Sequence, residues 1–285
     1  MIKREDLFIR DPFVYVEDDV AYLVGTTDRD YFDGPAQGYL GYKTTDLENF
    51  EGPYELFKVT PDFWGEKNCW ACELHKVRGK YYLSASCKGE VHPRAGQIFV
   101  SDAPFGKYTP IQKPFTPEGW ECLDPTLYEE DGKLYTVFCH EWLQCHDGEI
   151  VLGELNDTLD GLKGEPTVLF RASEAPWSVG LNGGKDFITD GPFLYPLKSG
   201  KLLMLWTSRG ENNCYKMGMA VSERGVKGPW RQYSKPLYEE DGGAGMIFNF
   251  RGKKYLSLHK PDAPMYQERA FFYEIEETED GVVIK

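Results

Sequence analysis

The chain has 285 residues, a formal net charge of −14 at pH 7 and an aromatic content of 15%. That acid excess repels polyanions, and no Lys/Arg cluster offsets it, so a nucleic-acid partner is excluded. No apolar run reaches the ~18 residues of a membrane helix, so a membrane partner is not expected either.

The N-terminal "MIKREDLFIRDP" lacks the apolar core of a signal peptide. The expected location is therefore the cytoplasm, with a trimmed leader as the alternative. From there the chain repeats one phrase. It runs "IRDPFVYVEDDVAYLVGTTD" (9–28), "WACELHKVRGKYYLSAS" (70–86), "ECLDPTLYEEDGKLYTVFCHEW" (121–142), "TDGPFLYPLKSGKLLMLWTS" (189–208) and "GAGMIFNFRGKKYLSLHKP" (243–261). Each phrase is two β-rich runs joined by an acidic or Gly-containing turn, which is the pattern of a hairpin.

The spacers repeat as well. "GYLGYKTTDLENFEGP", "GQIFVSDAPFGKYTPI", "GEIVLGELNDTLDGL" and "YKMGMAVSERGVKGPWRQY" each supply a third strand, and most a polar fourth; the last unit is expected to be shorter, closing with "RAFFYEIEET". Thirty glycines and 18 prolines punctuate the length. The prediction is an all-β, five-bladed β-propeller of four-stranded antiparallel blades, forming one domain over 1–285. A β-sandwich or two β domains is the competing layout, and it leaves the five parallel phrases unexplained.

Seven cysteines are an odd number for a disulfide framework, and Cys69-Trp-Ala-Cys72 has no second Cys or His pair beside it. Reduced, mostly buried thiols are expected. The acids carry more information. In a propeller the innermost strands converge on the axis, so Asp11, Glu73, Asp124 and Asp190 are expected at equivalent points of four blades, opposite the Gly-rich 243–245 stretch. Clustered carboxylates suit calcium binding or glycoside hydrolysis, in which one acid protonates the leaving oxygen and another activates water. Trp70, Trp142, Trp64 and Tyr128 flank the same strand ends and offer flat faces to sugar C–H groups; packing in the core is the alternative for each.

These motifs resemble glycoside hydrolase family 43, five-bladed propellers acting on arabinofuranosides and xylosides. The resemblance rests on "RDPFVY", "WACELHK", "LDPTLY", "TDGPFLY" and "LHKP", in that order and at blade spacing. It implies an inverting enzyme in which Asp11 is the general base, Asp124 tunes and orients the acid, and the fourth-blade acid is the proton donor. It also implies a neutral oligosaccharide substrate, arabinosyl before xylosyl, with Trp70, Glu73 and Trp142 as substrate contacts. No cofactor is needed for the chemistry; His259 is expected to help hold a structural Ca2+ or Na+ in the central channel, with a plain buried histidine as the alternative.

Two positions depart from the family pattern. The fourth-blade acid is Asp190 where Glu is usual, and Ala244 stands where histidine is common. The shorter Asp190 makes Glu141, in "CHEW", a rival proton donor, unless Glu141 is bound in a salt bridge to Arg94 or Arg209. A sugar-binding propeller without catalysis, or a protein-interaction platform, is the alternative function.

Overall fold

The computed structural model covers residues 1–285. Five separate antiparallel sheets follow one another along the chain. Each opens with a hairpin: Arg10–Glu17 with Val20–Thr26, Lys67–Val77 with Lys80–Lys88, Cys122–Glu130 with Lys133–His140, Asp190–Pro196 with Leu202–Arg209, and Gly243–Phe250 with Lys253–Lys260. The turns explain the repeated acidic or Xaa-Gly pairs. Arg78–Gly79, Asp131–Gly132 and Arg251–Gly252 all take positive φ, as a two-residue turn matched to strand twist requires. Asp18–Asp19 does the same in blade one without glycine.

Gly38–Thr44, Ala95–Ser101, Glu149–Glu154, Tyr215–Ser222 and Arg269–Glu277 are the third strands. The outer strands are short in most blades, down to Thr109–Pro110 in blade two. The fifth unit is not truncated as expected. "RAFFYEIEE" is its third strand, and Val282–Ile284 completes it as a fourth.

Apolar faces pack blade against blade. One cluster joins Ile9, Leu23, Leu74, Leu83 and Phe248 across blades one, two and five. Others join Val137 to Trp206 between blades three and four, and Leu205 to Leu258 between blades four and five. The ring closes between blades five and one. Phe8 bridges Arg269, the Ile9 N–H donates to Glu268 O at 3.4 Å, and Ile2–Lys3 adds outside blade one. No helix is long and apolar enough to cross a membrane.

Candidate active site

Every innermost strand breaks its ladder at the same place. The register slips between Arg10 and Phe13, Trp70 and Glu73, Leu123 and Thr126, Asp190 and Phe193, and Gly243 and Met246. At each slip one residue is left-handed: Asp11, Ala71, Asp124, Gly191 and Ala244, with φ from 46° to 53°. Such bulges re-aim side chains toward an axis. They also correct the sequence reading. Asp11 and Asp124 are equivalent, but Asp190 lies one residue before that point and Glu73 two residues after it. Gly191 stands there because a Cβ would come 2.8 Å from Ala244 Cα, at a φ of 52°.

A bulge frees a backbone N–H, and a buried N–H needs an acceptor. The partner comes from the preceding blade. Thr26 Oγ1 accepts from Ala71 at 2.8 Å, Ser86 Oγ from Asp124 at 3.4 Å, Thr207 Oγ1 from Ala244 at 2.9 Å, and His259 Nδ1 from Asp11 at 3.2 Å. These acceptors sit at matching ladder positions, paired in turn with Arg10, Trp70, Asp190 and Gly243. In blade three that position belongs to Cys139, opposite Leu123. There the Asp124 carboxylate substitutes, its Oδ2 accepting the Gly191 N–H at 2.8 Å.

Asp11, Asp124 and Asp190 line one cavity of about 400 Å³ at one mouth of the ring. That is within the ~300–1,000 Å³ range of small-molecule sites. Thr26 Oγ1 donates to Asp11 Oδ2 at 2.8 Å, and Arg10 Nε lies 3.7 Å from Oδ1. Tyr215 Oη donates to Asp190 Oδ2 at 2.8 Å.

Burial, and then the charges of Asp190 and Asp11, push the Asp124 carboxyl well above the ordinary range. Burial likewise raises Asp190, against the Tyr215 hydrogen bond and the Arg10 and Arg209 charges that pull it down. A group whose folded state holds its proton more tightly adds stability below its ordinary pKa and loses it as pH rises through the folded value. Asp124 has an ordinary value of 3.8. The expected result is that Asp124→Asn raises Tm at neutral pH and matches the wild type near about pH 3, by about 2–4 °C per kcal/mol relieved in a domain this large. Thermal melts across that range check it; a variant less stable at neutral pH would contradict the strain on Asp124.

Glu141 lines the same cavity but does not stand free. Its carboxylate pairs with Arg94, which also reaches Asn68 Oδ1 at 3.2 Å and lies 4.2 Å over the Trp70 ring. Protonating Glu141 would leave a buried guanidinium without its counter-charge. The structure therefore gives Glu141 the salt-bridge role and leaves Asp190 as the donor candidate. Trp70 and Trp142 line the cavity, with Trp70 Nε1 fixed on Tyr31 O at 2.7 Å. Trp64 and Tyr128 do not. Trp64 binds Gln97 Oε1 at 2.8 Å, and Tyr128 lines a largely apolar hollow at the opposite mouth.

Glu73 and His259 need correction. Two residues past the bulge, Glu73 faces the axis below the cavity, where its Oε2 lies 2.8 Å from His75 Nε2. It does not reach a sugar in the cavity. His259 is fully buried; its Nδ1 is taken by the Asp11 N–H and its Nε2 faces Asp262 Oδ1 at 3.8 Å. It is the fifth member of the acceptor set, not a channel ligand. A small axial space lies between Asp11, Glu73, Asp124 and backbone, and His259 does not line it. Calcium takes six to eight oxygens, and these three carboxylates would be the protein donors to a cation there, with water supplying the rest.

Several site residues escaped the sequence reading. Asp262 joins Arg10 Nη1 at 2.8 Å and Arg209 Nη2 at 2.6 Å. Burial alone would raise its carboxyl, but His259, Arg10 and Arg209 together hold it well below the carboxylate range. Arg10 also meets Glu268, whose other contact is the Tyr31 hydroxyl. This network ties blade five to both Asp11 and the strand facing Asp190. Two of its members touch quoted motifs, Arg10 as the first residue of "RDPFVY" and Asp262 directly after "LHKP"; Tyr31 and Glu268 had no signal.

The family model described as Glycosyl hydrolases family 43 matches residues 6–270. A solved endo-arabinase from Bacteroides thetaiotaomicron is 36% identical, with 98% of each chain covered and a TM-score of 0.87. Xylosidase/arabinosidase 43A of Humicola insolens is 27% identical over 156 residues, 50% of this chain and 47% of its own. The matches span about half the length of the curated relatives. A β-xylosidase/α-arabinofuranosidase from a compost microbial metagenome, solved with xylotriose in a calcium-free form, shares the fold at 16% identity, covering 100% and 96% of the two chains with a TM-score of 0.76.

Proposed function

The chain belongs to glycosyl hydrolases family 43, and from that membership we propose that it hydrolyses α-L-arabinofuranosyl linkages of short oligosaccharides with inversion of configuration. The observation carrying this reading is the division of labour among three aspartates at one mouth. Asp190 and Asp124 are both raised by burial, while Glu141 is committed to Arg94. A proton donor must hold its proton near neutral pH, and a general base must not.

Water attacks the anomeric carbon as Asp11 takes its proton. The glycosidic C–O bond breaks, and Asp190 passes its proton to the departing oxygen. Tyr215 occupies Asp190 Oδ2, which leaves Oδ1 to carry the proton. The Asp11 charge adds to the rise of Asp190, and Asp124 braces the Gly191 N–H, next in sequence to the acid. Trp70 and Trp142 offer flat walls for sugar C–H faces. Arabinosyl is favoured over xylosyl because the endo-arabinase is 36% identical over 98% of both chains, whereas the neighbour solved with xylotriose is 16% identical.

Incubation with nitrophenyl α-L-arabinofuranoside and β-D-xyloside, followed by proton NMR of the first product formed, tests this. The expected result is faster release from the arabinofuranoside and an initial sugar of inverted anomeric configuration. A first product of retained configuration would overturn the mechanism, a preference for the xyloside the specificity, and saturable sugar binding without turnover the catalytic reading.

A further inference from the structure

Outside the sugar cavity, blade three holds a second polar cluster whose hydrogen bonds do not balance. His140 pairs across the ladder with Glu149, and Cys145 closes the helical turn Trp142–Cys145 between them. His140 Nε2 lies 2.8 Å from Gln144 Oε1. The orientation of that amide is set twice over. Its Nε2 donates to Gly119 O at 2.9 Å, and its Oε1 accepts the Glu121 N–H at 2.9 Å. His140 Nε2 must therefore carry the hydrogen. Its Nδ1 then points at Glu149 Oε2, 2.9 Å away, as one acceptor against another unless a positive charge lies between them.

The thiol shows the same surplus. Cys145 Sγ lies 3.1 Å from Glu141 O and 3.4 Å from both His140 O and Asp147 O, and one S–H can serve only one of them. The nitrogen, the sulfur and a Glu149 oxygen all lie within 4.8 Å of one another.

We propose that His140 Nδ1, Cys145 Sγ and Glu149 Oε2 bind a thiophilic divalent cation of the zinc class, with water as fourth ligand. One thiolate, one imidazole and one carboxylate are zinc donors, and bonds of ~2.0–2.3 Å place them about 3.3–3.7 Å apart in a tetrahedron; the nitrogen and oxygen now stand 2.9 Å apart and the sulfur within 4.8 Å of both. Calcium, which prefers oxygen alone, is disfavoured. The outer contacts are already in place. Gln144 fixes the imidazole tautomer, Arg171 Nη2 holds Glu149 Oε1 at 2.7 Å, and Trp120 stacks on His140 at 4.2 Å. Binding expels the thiol proton to solvent, and no electron moves. The ligands do not line the sugar cavity, but Glu141 and Trp142, between His140 and Cys145 in sequence, do. The cation pins the turn that builds one wall.

The test uses the full chain after dialysis against chelator, titrated with Co2+ and then Zn2+. The expected result is a thiolate-to-cobalt charge-transfer band saturating at one equivalent and abolished by Zn2+. Cys145→Ser should remove it, while Cys214→Ser, at the other partly exposed cysteine, should keep it. Glu149→Gln should weaken Zn2+ binding by roughly 100-fold, at or above the 10–100-fold cost of outer-ligand changes. In the unsubstituted protein, Zn2+ should protect Cys145 from alkylation, read by mass spectrometry without any variant. No band in the wild type at millimolar Co2+ (roughly the weakest affinity of interest), or a band that persists in Cys145→Ser, overturns the site and leaves His140 and Glu149 as an imidazolium–carboxylate pair.

Discussion

Asp11→Asn should lower kcat on an arabinofuranoside by about 10²–10⁴-fold, the range of a lost general base, with KM nearly unchanged. An amide at this position can still accept the Thr26 hydroxyl, which now reaches Asp11 Oδ2 at 2.8 Å. The Asp11 N–H to His259 Nδ1 bond, made by the backbone, is also retained. The substitution therefore removes basicity while leaving the bulge and the cavity in place. Circular dichroism and a melt verify the fold, and steady-state kinetics read the loss. A variant that keeps wild-type kcat would remove Asp11 from the chemistry.

Asp190→Asn should separate substrates by their leaving groups. An activated nitrophenyl glycoside departs with little help, so its rate should fall only a few-fold, about 10-fold at most, while an arabino-oligosaccharide should lose about 10²–10⁴-fold. Glu141→Gln should behave differently, because its partner is the buried Arg94. Breaking a buried pair costs about 3–5 kcal/mol, so a lower Tm and a loss shared evenly by both substrates are expected. The comparison of the two variants on two substrates is decisive. If Glu141→Gln shows the leaving-group dependence and Asp190→Asn does not, the proton donor is Glu141 and the Arg94 pair must open during turnover.

The departure from the family's usual Glu at position 190 has a structural setting. Asp190 is not at the left-handed point but one residue earlier, opposite Thr207, with Tyr215 fastening its carboxylate. The neighbouring Gly191 lets blades four and five approach closely, and its N–H is held by Asp124. Asp190 and Asp124 are thus linked through one backbone amide. A shift of Asp124 would move Asp190, and a misplacement of about 1 Å can cost about 100-fold in rate.

The amino-acid sequence by itself determined the ring. Hairpin turns, strand periodicity and five repeated phrases are local, and local rules read them: Asp131–Gly132 or Arg251–Gly252 specifies its turn without reference to the rest of the chain. It also placed Asp11, Asp124 and Asp190 on innermost strands, because repetition identifies equivalent elements. What tertiary structure alone decided was which residues share a point in space. A bulge shifts the side-chain alternation by one, so Glu73 fell below the cavity while Ala71 took the position equivalent to Asp11. Likewise His259 resembled a metal ligand until the freed Asp11 N–H claimed its Nδ1. Arg94 with Glu141, and Asp262 with Arg10 and Arg209, join residues 47, 252 and 53 positions apart. Charges this distant in sequence meet only when the ring closes, and burial then sets both their pairing and their proton affinity.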